Sequence, residues 1–260
     1  MIIPKKTSLN KMREYLIKNG FKSFLKLSSN NSLKVNQLIS KAPFKPEISD
    51  LYMLHKFITL NKRTTILEFG SGYSTIVMYD AIIKNKIKFQ NQVKHLRRNN
   101  PFEHFVLENT KKYLNITKNR CKKFFKNNSN IKFFFSECHL TKYNNLYCSK
   151  YLKLPVVNPD FIYLDGPEQF AVKGSINGFH TRHKDMMPMV SDILYIENFL
   201  TPGTIIVTDG RGANAEFLKN NFTRRWKYIY IKHTDQHAFY LNEKPLGPLN
   251  YNQLKFYYGK

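Results

Sequence analysis

A chain of 260 residues, 42% hydrophobic and 15% aromatic, can bury a substantial core, and one large domain with added pieces is expected. No apolar run is long enough for a spanning helix, and the three cysteines (Cys121, Cys138 and Cys148) are unevenly spaced with no CxxC pair, which argues against a disulfide framework and a zinc site. The formal charge is +24, from 42 Lys and Arg against 18 Asp and Glu; such a balance attracts nucleic acid, anionic membrane or acidic substrates, but the lysines run along the whole chain beside abundant Asn, Ile, Phe and Tyr, as a general compositional bias would place them.

The N-terminal stretch has too short an apolar run for a secretory signal, so a reduced, cytoplasmic setting is expected. Residues 1–45 read as a helical extension: Met12, Tyr15, Leu16, Phe21, Phe24 and Leu25 recur at helical spacing, Gly20 divides two short helices, and Asn30–Ser32 reads as a loop. Such a segment can cap a pocket, touch a membrane surface or simply pack on the domain. Prolines 43 and 46 break the chain, and Ser49 is placed to cap the helix "DLYMLHKFITL". A strand over residues 64–69 follows, then a helix, "YSTIVMYDAIIKN", and then a polar, irregular insertion over 85–104.

Further on, "FVLEN" is a buried strand, "TKKYLNITKNRCKKFFKN" a helix and "IKFFFSE" a strand. "TKYNNLYCSKYLKLPVVN" is a loop or small hairpin, and "DFIYLDG" a strand. "HKDMMPMVSDILYIENFL" is expected to be largely helical, with Pro188 marking a start or a kink. "PGTIIVTDG" is a turn and a strand, "ANAEFLKNNF" a helix, and residues 226–242 two strands about a turn. Strands alternating with helices imply a mostly parallel sheet covered on both faces, and the last two strands suit an antiparallel edge hairpin. The domain limits follow as 1–45 for the extension, 46–245 for the α/β domain and 246–260 for a C-terminal tail.

In such sheets ligands bind at the carboxyl ends of the strands. "ILEFGSGYST" places Glu68, Gly70 and Gly72 at one such end; glycine lets a ligand approach the main chain, and the following helix offers free N–H groups. An acid beside the turn disfavours a pyrophosphate and suits a cationic or zwitterionic ligand. The next strand ends in Glu108, able to accept from two ribose hydroxyls, and the third in Ser136-Glu137, suited to the polar edge of an adenine. The third glycine of a dinucleotide fingerprint is missing; Thr75 holds its place.

Taken in order, "LEFGSGYST", "FVLEN", "FSE", "DFIYLDG" and "LTPGTIIVTDG" resemble the successive motifs of class I S-adenosylmethionine-dependent methyltransferases, over roughly residues 50–242. The resemblance implies a Rossmann-like, doubly wound seven-stranded sheet with an antiparallel C-terminal hairpin. It implies S-adenosyl-L-methionine as cofactor, with Glu68, Gly70, Ser71, Gly72, Tyr73 and Ser74 around its methionine part. Glu108 would hold its ribose, Glu137 would lie near its adenine, and Asp165 would close the site. The distance from Gly72 to Glu108 is longer than in a typical nucleotide-binding unit.

Methyl transfer requires alignment of the acceptor and, for a hydroxyl, removal of its proton. Asp165 and Asp209 end strands on the cofactor side and are candidates for base or for ligands of a divalent cation, Mg2+; this resembles small-molecule O-methyltransferases related to the catechol enzyme, although Gly210 stands where that family has Asn. Arg211 is a candidate for an anionic substrate group, and His183, in a long Gly-rich loop with His180, Arg182 and Lys184, a candidate base. His233 and His237 could face the acceptor. The Asn-Pro-Pro-Tyr signature of many base N-methyltransferases is replaced by Asp165-Gly166-Pro167-Glu168. The expected acceptor is therefore a small hydroxylated metabolite or sugar, with nucleic acid not favoured. An RNA methyltransferase and a non-catalytic binding protein retaining the fold are the alternatives.

Overall fold

The computed structural model describes residues 1–26 and 45–259; the loop expected at Asn30–Ser32 and the break at Pro43 lie outside the described residues. In chain order the helices are α1 (Leu9–Lys18), α2 (Lys22–Leu25), α3 (Ile48–Leu60), α4 (Tyr73–Val93), α5 (Lys111–Phe124), α6 (Asp192–Ile196), α7 (Gly212–Asn221) and α8 (Pro248–Tyr258). The strands are β1 (Thr65–Phe69), β2 (Glu103–Glu108), β3 (Ile131–Phe135), β4 (Cys138–Tyr143), β5 (Leu146–Tyr151), β6 (Phe161–Leu164), β7 (Ile205–Asp209), β8 (Trp226–Ile231) and β9 (Gln236–Leu241).

Seven strands form one sheet in the order β3-β2-β1-β6-β7-β9-β8. The first five run parallel, and β9 pairs antiparallel with both β7 and β8, giving the expected hairpin edge. The central strands β1 and β6 are buried along their whole length, which is why their sequences show no polar alternation. Register sets Leu67 opposite Phe105 on one side and Ile162 on the other. One face of the sheet packs against α1, α3, α4 and α5 through Leu16, Met53, Phe57, Val77 and Cys121. The other packs against α6, α7 and the β4–β5 hairpin through Leu194, Leu218, Cys138 and Tyr151.

Two expectations need correction. Helix α4 runs to Val93, so residues 85–93 of the presumed irregular insertion are helical. Asn85 is buried and donates to the Ile58 and Arg63 carbonyls, and Val93 is buried too, so this polar stretch is a one-sided helix. The segment from His183 is helical only over α6, with a short 3-10 turn after it. Pro188 and the Asn214 side chain, which bonds both the Val190 N–H and its carbonyl, hold the chain before it extended. The stretch 141–158 resolves into the hairpin alternative: β4 pairs with β5 from Cys138–Tyr151 to Tyr143–Leu146.

Helix α8 has no counterpart among the elements read from the sequence. Gly247 precedes it with Pro248 in its first turn, and Gly259 closes it in the left-handed conformation. Its Tyr257 ring lies 4.0 Å from the buried Arg63 guanidinium, and its hydroxyl donates to Asp160. Asp160 also accepts from the N–H groups of Thr64 and Thr65 and from the Thr64 hydroxyl, with Arg98 3.2 Å away. This knot ties the start of β1 to the start of β6 at the end of the sheet away from the glycine turn.

Candidate active site

At the carboxyl end of β1 the chain turns through Gly70, whose φ of +100° favours glycine and whose N–H donates to the Leu107 carbonyl. A Cβ on Gly70 would lie 3.0 Å from the Gly166 nitrogen, so the turn lies directly against the end of β6. Gly72 differs: a Cβ there would find only Ser74 Oγ, at 3.8 Å, and the main chain faces open space.

Glu68 is buried beneath this turn. Its Oε1 accepts from the Ser74 hydroxyl at 2.6 Å, and its Oε2 accepts from the Thr75 hydroxyl at 2.8 Å with His104 Nε2 2.9 Å away. The Gly72 N–H in turn donates to Thr75 Oγ1 at 3.2 Å. With both oxygens engaged, Glu68 shapes the turn from below. The same contacts take up Ser74, while Tyr73 lies under the Arg120 guanidinium, 4.1 Å from its ring centroid.

Glu108, at the end of β2, is buried. Its Oε2 accepts from the Ser71 hydroxyl at 2.8 Å and its Oε1 from the Thr110 N–H at 2.9 Å. Burial pushes its pKa up to about 7, against the pull of these hydrogen bonds. A cavity of about 460 Å³ opens beside it, walled by Asn109, Thr110, Phe135, Ala171, Val172 and Arg182. Thr110 Oγ1 is a buried hydroxyl there without a hydrogen-bond partner. Glu137 stands at the mouth, paired with Lys173 and His139. Asn109 clamps the β6 loop through the Glu168 N–H and carbonyl. The open glycine turn, the buried carboxylate with a hydroxyl on it and the partly apolar cavity fit an adenosine carrying an amino-acid tail, and the volume suits a small-molecule site.

On the other side of the turn lie the carboxyl groups at the ends of β6 and β7. Asp165 is 49% exposed, with Arg211 Nε 3.6 Å from its Oδ1. Desolvation by the packed strand ends around its inner side pushes its pKa up to about 6, Arg211 pulling it down and Glu68 adding to the rise. Asp209 accepts from the buried Tyr163 hydroxyl at 3.4 Å and lies close enough to Asp50, from the first turn of α3, for each to shift the other's protonation. Burial and the charge of Asp165 push Asp209 up to about 8, and burial with the charge of Asp209 raises Asp50 as well. Two carboxyl groups in contact hold one proton between them.

Arg211 turns inward. Its Nη2 donates to the Asp165 carbonyl at 2.6 Å and the Pro167 carbonyl at 3.2 Å, so it fastens the β6 loop. The expected Mg2+ site at Asp165 and Asp209 finds no support. Among the described residues no group of three or more His, Cys, Asp or Glu is placed to hold a metal. The Arg211 guanidinium already lies against Asp165, and Asp209 is engaged with Asp50 and Tyr163. His183 is exposed on the outer loop, its Nδ1 accepting from the Asp185 N–H, with no hydrogen bond to Asp165 or Asp209. His237 is buried behind the site, bonded to the Tyr228 hydroxyl, its Nε2 facing Gly212.

Asp50 and Tyr163 were not found from sequence. Asp50 sits in an ordinary helix start far upstream, and Tyr163 reads as a core aromatic.

Neither a protein-family model nor a curated relative matches this sequence. Solved structures similar to it include an O-methyltransferase from Bacillus cereus in complex with SAH (14% identity over 94% of each chain, TM-score 0.40). A cofactor-bound protein from MTB is also similar (9% identity, 92% of this chain and 100% of that chain, TM-score 0.48). So is the TDP-rhamnose 3'-O-methyltransferase of calicheamicin biosynthesis (13% identity, 95% of this chain and 98% of that chain, TM-score 0.40). At these identities and scores no activity transfers from them to this chain. Its class I methyltransferase-like fold rests on its own strand order, β3-β2-β1-β6-β7-β9-β8.

Proposed function

We propose that the protein is an S-adenosylmethionine-dependent methyltransferase that acts on a hydroxyl of a small molecule. The observation that carries this reading is the convergence at one sheet end of an open glycine turn, a buried carboxylate beside a cavity, and a half-exposed carboxylate on the opposite side. When bound, S-adenosylmethionine supplies an electrophilic methyl group on a cationic sulfur. The main chain at Ser71 and Gly72 and the start of α4 would hold its methionine part, Glu108 its ribose, and Phe135, Val172 and Glu137 would surround its adenine. Glu68 holds the turn in shape from below through Ser74 and Thr75.

Asp165 is the residue placed to take the acceptor's proton. With a pKa of about 6 it is mostly ionised at neutral pH and still basic enough to accept. The Asp50–Asp209 pair holds its proton between the two carboxyl groups, so it sets less negative charge beside Asp165 than two ionised carboxylates would. Environments that set neighbouring carboxyl groups apart in this way divide acid from base. Arg211 keeps Asp165 in place by holding its backbone.

The test is calorimetry with S-adenosylmethionine and S-adenosylhomocysteine, followed by transfer of labelled methyl groups in extracts, with and without ribonuclease. Failure to bind either molecule removes the proposal. Binding of both with no labelled product from any extract supports a non-catalytic binding protein instead, and ribonuclease-sensitive labelling supports RNA as acceptor.

A further inference from the structure

Three of the chain's seven methionines, Met186, Met187 and Met189, stand within four residues on one loop. With Leu140 and Tyr147 of the β4–β5 ribbon and Phe179 they wall a hollow of about 240 Å³ beside the start of α7. Met186, Met187 and Phe179 are each 37% exposed, so large apolar side chains stand half open around it. The walls are fixed by hydrogen bonds. The Met189 carbonyl accepts from the Ser149 N–H at 2.7 Å, the Met186 N–H donates to the His183 carbonyl at 3.2 Å, and Asn214 of α7 bonds Val190 on both its N–H and its carbonyl. The Tyr147 and Phe179 rings brace each other with centroids 5.6 Å apart. An apolar cavity of roughly 150 Å³ takes benzene, so this one has room for a substituted ring.

The polar side chains of the lining are turned to the protein or to solvent. Thr181 Oγ1 donates to the Gln169 carbonyl, the Cys148 thiol donates to Ser191 Oγ, and the exposed Asp185 carboxylate lies 3.8 Å from His183 Nδ1. Tyr147 accepts from the Asn177 amide and keeps one proton to give. A sugar placed here would give up several hydrogen bonds to water and regain few, whereas an apolar ring gives up none. Thioethers adapt to the outline of a ring and are attracted to its edge. A partner helix, whose anchors span about two turns, needs a longer groove.

The hollow adjoins the candidate site on two sides. Thr181 lines it while the next residue, Arg182, lines the cavity beside Glu108, so one thickness of main chain separates the two. Ala213, also on its wall, is two residues from Arg211, whose Nε lies 3.6 Å from Asp165 Oδ1, so at most about 7 Å of chain joins the hollow to that contact. We propose that the hollow holds an apolar, ring-bearing end of the acceptor, remote from the hydroxyl that Asp165 deprotonates. This rests on the methyltransferase reading and narrows its acceptor from hydroxylated small molecules in general to amphiphilic ones. Burial of the remote ring then supplies the binding energy that aligns the hydroxyl.

The experiment is NMR of protein carrying methyl-labelled methionine, saturated with S-adenosylhomocysteine and titrated with phenylbutanol as the ring-bearing alcohol and methyl glucoside as the sugar. The resonances of the hollow, assigned by Met186→Leu, Met187→Leu and Met189→Leu, should move with phenylbutanol and stay with methyl glucoside. Those of Met12, Met53 and Met78, buried on the opposite face of the sheet, should stay with both. Ala213→Leu, which puts a side chain into the hollow, should weaken phenylbutanol about tenfold or more. Phe179→Ala, which removes part of a wall, should weaken it about threefold or more. Both variants should bind S-adenosylhomocysteine within about twofold of wild type, which also checks that the fold is kept. In extracts supplied with labelled S-adenosylmethionine, the labelled product should pass from acidified water into ethyl acetate, and Ala213→Leu should form less of it. If S-adenosylhomocysteine does not bind, or no labelled product forms, the methyltransferase reading fails and the acceptor role of the hollow goes with it. If both occur, the role of the hollow alone is overturned by phenylbutanol leaving its methionines unmoved, by equal binding to Ala213→Leu, or by a labelled product that stays in water. Resonances of the hollow that shift with protein concentration in place of phenylbutanol overturn it too, with a second copy of the chain as the occupant.

Discussion

Gly70 and Gly166 meet back to back: a Cβ on Gly166 would lie 2.6 Å from the Gly70 nitrogen and 2.7 Å from the Tyr151 hydroxyl. The glycine turn and the β6 loop are thus one packed unit, and the ends of two neighbouring strands are set by main chain against main chain.

That contact separates two substitutions. Gly166→Ala pushes a methyl group into backbone and should cost on the order of 1–3 kcal/mol together with cofactor affinity. Gly72→Val meets no such wall, and its φ of −180° suits any residue. Its unfolding temperature should stay close to wild type while affinity for S-adenosylhomocysteine drops about tenfold or more. Thermal unfolding and calorimetry on the two variants check both statements.

Asp165→Asn should lower turnover by about a hundredfold or more while cofactor affinity changes by less than about threefold. Wild-type turnover should rise with pH through a midpoint near 6, as Asp165 loses its proton, and this limb should vanish in the variant. A rate profile against pH for both proteins is the measurement.

Asp160→Ala removes the common acceptor of the Thr64 and Thr65 N–H groups and the Tyr257 hydroxyl, and leaves Arg98 facing an empty corner. The loss should be on the order of 3–5 kcal/mol, read as a lower urea midpoint. The Tyr257→Phe change removes one of these bonds and should cost about 1 kcal/mol.

Asp192 accepts from the Tyr151 N–H, and burial holds its pKa up at about 7. The folded protein therefore keeps this proton between about pH 4 and 7, where the unfolded chain has released it. More protons bound in the native state means that stability falls as pH rises through that window. Asp192→Asn can still accept from Tyr151 and should remove this fall, a difference on the order of 2–4 kcal/mol between the two curves. Thermal unfolding of both proteins from pH 4 to pH 8 tests it.

Much of the fold is legible because its signals are local: "ILEF", "FIYL" and "IIVTD" are short apolar runs that only a doubly covered strand explains, and "FGSG" marks the turn by its glycines. The candidate site is less legible where a side chain's direction matters. Glu68 ends an apolar run beside two glycines, which suggests a ligand contact. Ser74 and Thr75, six and seven residues on, are the hydroxyls that occupy it, and their placement one helical turn above the strand was the available clue. Arg211 resembles a substrate-binding cation, yet the carbonyls it holds come from a loop more than forty residues upstream in the chain. The same distance problem hid Asp50. The length of α4 was obscured because its second half is polar on every side but one.

The connection between β3 and β6 is made by the β4–β5 ribbon, which bridges Lys173 at His139 and Val190 at Ser149. One edge of that ribbon adjoins the cavity next to Glu108, and its other residues (Leu140, Tyr147 and Cys148) wall a second hollow of about 240 Å³ with Phe179 and Met186. The ribbon lies outside the seven-stranded sheet but anchors to it through the buried Cys138 and Tyr151. Selectivity could therefore change by exchange of its outward residues, such as Leu140 and Tyr147, while the anchors keep the scaffold that positions Asp165.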